Sequence, residues 1–290
     1  MNKVIDILKI KDVQRIGSSA DKRIKYASDI DLMEVLETDD FFHEIQTKFQ
    51  QKFLKAQNEP NVFITDFKCG MFRGQPVRWN KHTIKDGFQI MDGINISFIN
   101  CLQQKSIIKM DIIALIDGIF TEFSNNYYFT FSNGFSTMPF NNTKLSDIFM
   151  YQFQQKMKDK KYFKALKRLY SYFKIKRNKK MQQTLIEFFN SNVGKLNYQI
   201  NNLQIINDVL DNPFRQPKKS SIIHNLNIIK KNLPNKLDES IDTIFKRPTL
   251  QTMRLAIQDV IKELTDVVNE QTTEFVDKKI DLQKIDLQKI

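Results

Sequence analysis

Asp29 and Asp31 stand on either side of a single apolar residue, and that spacing is where chemistry first becomes possible in this chain. Side chains alternate along a β-strand with period 2, so Ile30 and Leu32 belong to its packed face and the two carboxylates converge on the other. Like charges held that close repel, and a divalent cation stabilises such a pair. Upstream, Gly17-Ser18 sits where a strand would turn, ten residues before Asp29. Glycine there lets backbone N–H groups approach a phosphate closely. The combination points to a site for Mg²⁺ (or Mn²⁺) and a nucleoside triphosphate.

A metal site for phosphoryl transfer gains from a third acid. Asp111 is embedded in the apolar run Ser106-Ile107-Ile108-Lys109-Met110-Asp111-Ile112-Ile113-Ala114-Leu115-Ile116. Asp66, in Val62-Phe63-Ile64-Thr65-Asp66-Phe67, is its rival, in a shorter run before an irregular segment. Asp111 is preferred. With Gly17-Ser18, the ten-residue gap, Ser28-Asp29-Ile30-Asp31-Leu32 and a later strand acid, the chain resembles the DNA polymerase β-like nucleotidyltransferase superfamily. That superfamily includes poly(A) polymerases, terminal uridylyltransferases, CCA-adding enzymes and small-molecule nucleotidyltransferases. The resemblance covers roughly residues 10 to 130. Arg78-Trp79 and Thr121-Glu122-Phe123-Ser124-Asn125-Asn126 also resemble nucleotidyltransferases of large DNA viruses.

The resemblance implies roles. Asp29 and Asp31 would hold two ions, and Asp111 the ion facing the attacking hydroxyl. Gly17 and Ser18 would cradle the β- and γ-phosphates. Lysines of a following helical domain would reach the triphosphate, with Lys158, Lys160, Lys161, Lys164 and Lys167 as the pool.

The elements that must position these residues change character along the chain. A strand ends at Ile16, and the Asp29–Asp31 strand follows the Gly17-Ser18 turn. Residues 39–57 read as a helix, with Phe42, Ile45, Phe49 and Phe53 at helical spacing. Strand signals follow at 62–68, then loops and short strands over 70–100. A hairpin is expected from strand 106–116, the turn Asp117-Gly118 and strand 119–131. From about residue 145 the period becomes 3.6. Residues 146–177 suggest one or two helices with Ser146 as N-cap, and 181–210 another, broken near Gly194. Asp211 to Ser221 reads as a linker, 221–232 and 236–246 as helices. The last helix is expected to begin at Pro248, with Leu250, Met253, Ile257, Val260, Leu264 and Val267 as its buried stripe. The terminal five-residue repeat Ile280-Asp281-Leu282-Gln283-Lys284-Ile285-Asp286-Leu287-Gln288-Lys289 matches no solenoid. The expected architecture is α+β: a small mixed-sheet nucleotidyltransferase domain over 1–145 and an all-helical, basic domain over 146–290.

Charge divides the chain the same way. Residues 1–150 carry 18 Lys and Arg against 18 Asp and Glu, whereas residues 151–290 carry 27 against 15. The whole excess of +12 therefore lies in the second half, and residues 151–180 alone hold twelve basic residues against Asp159. So one-sided a run needs a polyanionic partner or tolerates strong self-repulsion. Tyr151, Tyr162, Phe163, Tyr170, Tyr172 and Phe173 are interleaved with it. They offer stacking surfaces for single-stranded RNA, although at helical spacing most belong to a core. Lys174, Lys176, Arg177, Lys179 and Lys180 are the RNA-binding candidates, at an expected helix end.

Composition removes other classes. Hydrophobic residues make up 41% with 24 Phe, too many for a disordered chain. Two cysteines, Cys69 and Cys101, without a histidine at ligand spacing argue against a disulfide framework or structural zinc. His43, His82 and His224 belong to no metal or nucleophile pattern. No Walker loop or G-x-G-x-x-G turn occurs, nor an apolar run long enough for a membrane span or the apolar core of a signal peptide. A reducing compartment, cytoplasmic or virion-associated, is expected. The expectation is thus a template-independent enzyme that transfers NMP from NTP to an RNA 3′ end, with ATP favoured and polyadenylation the specific candidate. The alternatives are an inactive fold relative that binds RNA or serves assembly, and an enzyme acting on a small-molecule or protein hydroxyl. The C-terminal helix is a candidate homo- or hetero-oligomer contact.

Overall fold

The 3.6-residue period after residue 145 becomes helix, and its interruptions fall where capping residues stand. The computed structural model describes residues 14–16, 21–27, 30–36, 51, 55, 58–59, 61–64, 71–72, 75–76, 95–102, 107–116, 145–212, 215–234 and 238–280. For most strand residues and for 145–148 that description is of the backbone. The predicted helix over 39–57, the strand 119–131 and the terminal repeat beyond Ile280 lie outside these residues, apart from Gln51 and Lys55, which are helical.

Seven helices run through the second half among the described residues. They are α1 (Leu145–Lys158), α2 (Tyr162–Ile175), α3 (Lys179–Phe189), α4 (Asn192–Leu210), α5 (Lys219–Lys230), α6 (Asp238–Phe245) and α7 (Leu250–Lys279). The expected 146–177 helix is two, broken at Lys160, which takes a left-handed φ of 57°. Ser146 lies inside the first turn rather than capping it. The break expected near Gly194 falls instead at residues 190–191, where the Ser191 hydroxyl accepts from the Val193 amide at 3.2 Å. Gly194 then sits against the end of α3, its Cα so close that an added Cβ would meet the Phe189 carbonyl oxygen at 1.8 Å. The last helix begins after Pro248, at Leu250. Thr249 and Thr252 cap it reciprocally, each side-chain oxygen accepting from the other's amide.

α4 is the hub of this half. Eleven of its nineteen residues are buried, on more than one face, because it lies between α7 on one side and the sheet on the other. Facing it, α7 buries Met253, Ala256, Ile257, Val260, Leu264, Val268, Thr272 and Val276. The stripe therefore moves from the expected Val267 to Val268. A straight helix of 3.6 residues per turn drifts off a strict heptad, so the buried positions step by four after Leu264. Aromatic packing closes the far end, with Phe188 stacked on Phe275 at 4.2 Å between ring centroids.

In the first half, a five-stranded sheet runs in the order β1 (Gln14–Ile16), β2 (Ile30–Leu36), β7 (Ile107–Ile116), β6 (Asn95–Leu102), β3 (Val62–Ile64). β4 (Met71–Phe72) and β5 (Gln75–Pro76) pair separately. β2 and β7 are parallel, and the other pairings in the large sheet are antiparallel. The strand over 95–102 was not expected from the sequence, which reads that stretch as loops and short strands. β6 is antiparallel to β7, while 119–131, the expected hairpin partner, lies outside the described residues. Phe63, Leu102 and Ile107 join the helices in one hydrophobic cluster, so sheet and helices share a core. Arg215 fastens the sheet's edge: its guanidinium donates to the Val62 carbonyl at 2.5 Å and lies 4.7 Å from the Phe63 ring centre.

Candidate functional site

Register brings the chemistry-bearing strand positions together. Asp31 is the Cα partner of Asp111 across the parallel β2–β7 pair, and of Ile16 across the antiparallel β1–β2 pair. Three residues, Ile16, Asp31 and Asp111, thus form one row across three neighbouring strands. Register partners on neighbouring strands belong to one face, with strands about 4.8 Å apart. Ile16, the last residue of β1, directly precedes Gly17 in the sequence.

On its other side Asp111 meets an irregularity. β6 pairs Ile96 with Ile112 and Ile99 with Met110, so two residues of β6 stand opposite Asp111 alone. Such a bulge bends the strand and sharpens its twist, and bulges concentrate beside functional sites. Carboxylates are the hard oxygen donors that Mg²⁺ and Mn²⁺ favour, and two of them on adjacent strand positions suit such an ion. Asp29, Gly17, Ser18 and the rival Asp66 lie outside the described residues. So do Arg78-Trp79, residues 121–126, Cys69, His43 and His82.

The lysines fall into two groups on the helices. Lys158, Lys160 and Lys161 gather at the α1–α2 turn, with Lys161 3.8 Å from Asp159. Lys164 and Lys167 continue along α2, the Lys167 amine 5.9 Å from the Phe163 ring centre. Burial, followed by the nearby Lys161 charge, lowers the pKa of Lys156 at the same turn. The RNA candidates Lys174, Lys176, Arg177, Lys179 and Lys180 are all exposed at the α2–α3 turn. Arg177 holds a left-handed φ of 53° there, and the Asn178 side chain caps α3 by accepting from the Met181 amide at 3.1 Å. Of the six interleaved aromatics, Phe163, Tyr170 and Phe173 are buried, in line with the core reading that their helical spacing favours, and are not stacking surfaces.

Sequence reasoning missed the residues that connect the two halves here. The segment 21–27, between Gly17-Ser18 and β2 in the sequence, is tied onto the helices. Tyr170 on α2 donates its hydroxyl to Asp21 Oδ2 at 2.5 Å, and Arg23 donates to the same oxygen at 2.8 Å. Arg23 also donates to the Tyr170 hydroxyl at 2.7 Å. Asn190 grips the segment's backbone: its Oδ1 accepts from the Lys25 amide and its Nδ2 donates to the Arg23 carbonyl, both at 2.8 Å. Ile24 is buried in the core, and the Tyr26 and Tyr198 rings lie 6.1 Å apart. The Arg23 guanidinium, and after it Tyr170, hold the Asp21 carboxyl well below the usual carboxylate range despite partial burial. Burial first, then the Asp21 carboxylate, push the Tyr170 phenol upward. No local signal marks this clamp, since Asp21 and Arg23 read as loop charges and Tyr170 as one of a core stripe.

No protein-family model and no curated protein matches the chain. Solved structures do. The crystal structure of the M. chilensis Mg662 protein complexed with GTP is similar with a TM-score of 0.61 at 12% identity, over 95% of this chain and 92% of that one. A structure described as a new nucleotidyl transferase encoded by a Megaviridae ORFan gene gives a TM-score of 0.60 at 13% identity, over 97% and 92%. The chain shares their fold. At such low identity the likeness concerns the path of the backbone along nearly the whole chain, not the residues of a site. Among the described residues no helix is long and apolar enough to cross a membrane, and no three His, Cys, Asp or Glu side chains form a metal-binding group.

Proposed function

We propose that this chain is a nucleotidyltransferase that transfers NMP from a nucleoside triphosphate to an RNA 3′ end. The observation that carries the reading is the row Ile16–Asp31–Asp111, which joins the strand before Gly17-Ser18 to the two acids and lies opposite a bulge. The fold shared with a GTP complex and with a protein described as a nucleotidyl transferase supports it. Asp29, Asp31 and Asp111 would hold Mg²⁺ or Mn²⁺. When bound, these ions lower the acceptor hydroxyl's pKa and offset charge on the attacking and leaving oxygens.

The chain's own residues supply position. Gly17 and Ser18 hold the β- and γ-phosphates, which leaves the α-phosphorus open to in-line attack. The acceptor hydroxyl gives its proton to solvent water as its oxygen bonds to that phosphorus, the bond from the phosphorus to the oxygen it shares with the β-phosphate breaks, and pyrophosphate leaves. The exposed basic turn at α2–α3 draws the acceptor's backbone phosphates by charge. GTP in a fold neighbour supports a triphosphate ligand while leaving ATP as one choice among bases.

Incubation with Mg²⁺ or Mn²⁺, each labelled triphosphate in turn and an RNA primer tests the reading. Metal-dependent primer extension that disappears in Asp31→Asn supports it. RNA binding without incorporation of any nucleotide favours a second reading, an inactive RNA-binding subunit, for which the exposed basic turn serves equally well.

A further inference from the structure

The clamp that docks residues 21–27 uses most of what that segment has. Asp21 and Arg23 bond to each other and to Tyr170, Asn190 holds the backbone at Arg23 and Lys25, Ile24 is buried, and Tyr26 meets Tyr198. Three of its residues are exposed, all of them cations: Lys22, Arg23 and Lys25. Neither lysine forms an ion pair among the described residues, although Arg23 does. We propose that Lys22 and Lys25 bind phosphate at this site, and that their ligand is the polyphosphate chain of a nucleoside triphosphate. The inference rests on the nucleotidyltransferase reading and adds to it residues that reading does not use.

Three arguments converge. The first is reach. Asp31 is six positions after Lys25, and six residues of fully extended chain span at most about 20 Å. Lys22 follows the expected phosphate turn at Gly17-Ser18 by four residues. Both lysines therefore lie, in sequence, between Gly17-Ser18 and the strand that carries Asp31. The second is charge. A row of carboxylates repels a polyphosphate, and cations within reach of the ligand would offset that repulsion where its negative charge is densest. The third is preorganisation. A lysine on an untethered loop must give up backbone freedom to bind, whereas Asn190 already holds this backbone at Arg23 and Lys25 and Tyr170 holds the Asp21 and Arg23 side chains.

The test is binding of GTP and of guanosine in the presence of Mg²⁺, to the full chain and two double variants, by calorimetry. Lys22→Gln with Lys25→Gln should weaken GTP about ten-fold or more, the scale of a lost charge-assisted contact, and leave guanosine unchanged. Tyr170→Phe with Asn190→Ala keeps both lysines but frees the segment, and should weaken GTP by a smaller factor with guanosine again unchanged. Near-UV circular dichroism and melting temperature check that the lysine variant is folded. Wild-type binding of GTP that both variants retain within about two-fold overturns the lysine assignment and spares the broader reading. A wild-type chain that binds no triphosphate overturns both. If the lysine variant loses affinity for a single-stranded RNA oligonucleotide but not for GTP, the phosphate held belongs to the acceptor and the polyphosphate assignment fails.

Discussion

Asp31 and Asp111 are register partners on adjacent parallel strands. Asp31→Asn and Asp111→Asn should each lower nucleotide transfer by about 10²–10³-fold, the scale for removing an electrostatic contact to a transition state. Both variants should melt no lower than wild type without metal, because a like-charge repulsion has been relieved. Asp66→Asn should be mild, and the opposite ranking of Asp66 and Asp111 would move the third-acid role to Asp66. The clamp makes a separate prediction about pH. A carboxyl held below its ordinary 3.8 contributes stability above that value and loses it as pH falls through the folded pKa. A phenol raised above its ordinary 10.0 contributes below that value and loses it as pH rises through the folded pKa. The difference in melting temperature between wild type and Tyr170→Phe should thus stay constant from about pH 5 to 9 and change outside that window. A difference that titrates near neutrality would mean another group governs the contact.

Elements meet here through backbones as well as side chains. At the α3–α4 junction an added methyl on Gly194 has no room, because the obstacle is the Phe189 carbonyl and not a side chain that can swing away. Gly194→Ala should destabilise the fold by roughly 1–3 kcal/mol, read as a lower denaturation midpoint, even though alanine is the better helix former. On α7, Met253 is fully buried and Leu255 is 56% exposed, two residues apart on opposite sides of one helix. Met253→Ala should cost about 2–5 kcal/mol, and Leu255→Ala should change little. Equal effects would contradict the helix's orientation against α4.

Across the whole molecule, charge and packing occupy different sides of the same helices. α2 buries Phe163, Leu166, Leu169, Tyr170 and Phe173, while its C-terminal turn and the start of α3 present five exposed cations. If these follow an RNA backbone, each contact releases condensed counterions, and single-stranded affinity falls with salt at a log–log slope of about −0.7 per phosphate. Replacing Lys174, Lys176, Arg177, Lys179 and Lys180 by glutamine should flatten that slope and leave metal-dependent GTP binding intact. An unchanged slope would assign this surface to a protein partner and favour the assembly-subunit reading.

Much of the helical half was legible because burial writes a 3.6-residue period and caps need particular side chains; the breaks at Lys160 and Ser191 were missed in detail because each depends on how neighbouring helices meet. β2 and β7 were legible as apolar runs interrupted by acids. Their register was not: a strand's sequence carries its alternation but not its partner, so the pairing of Asp31 with Asp111 came from the tertiary structure. β6 was hidden because Gly93 and the polar residues around it read as loop. The basic charge of residues 151–180 is a property of composition and needed no fold. Which of its aromatics are buried, and that Tyr170 reaches back to Asp21, depended on contacts between residues nearly 150 positions apart, and such contacts leave no periodic trace along the chain.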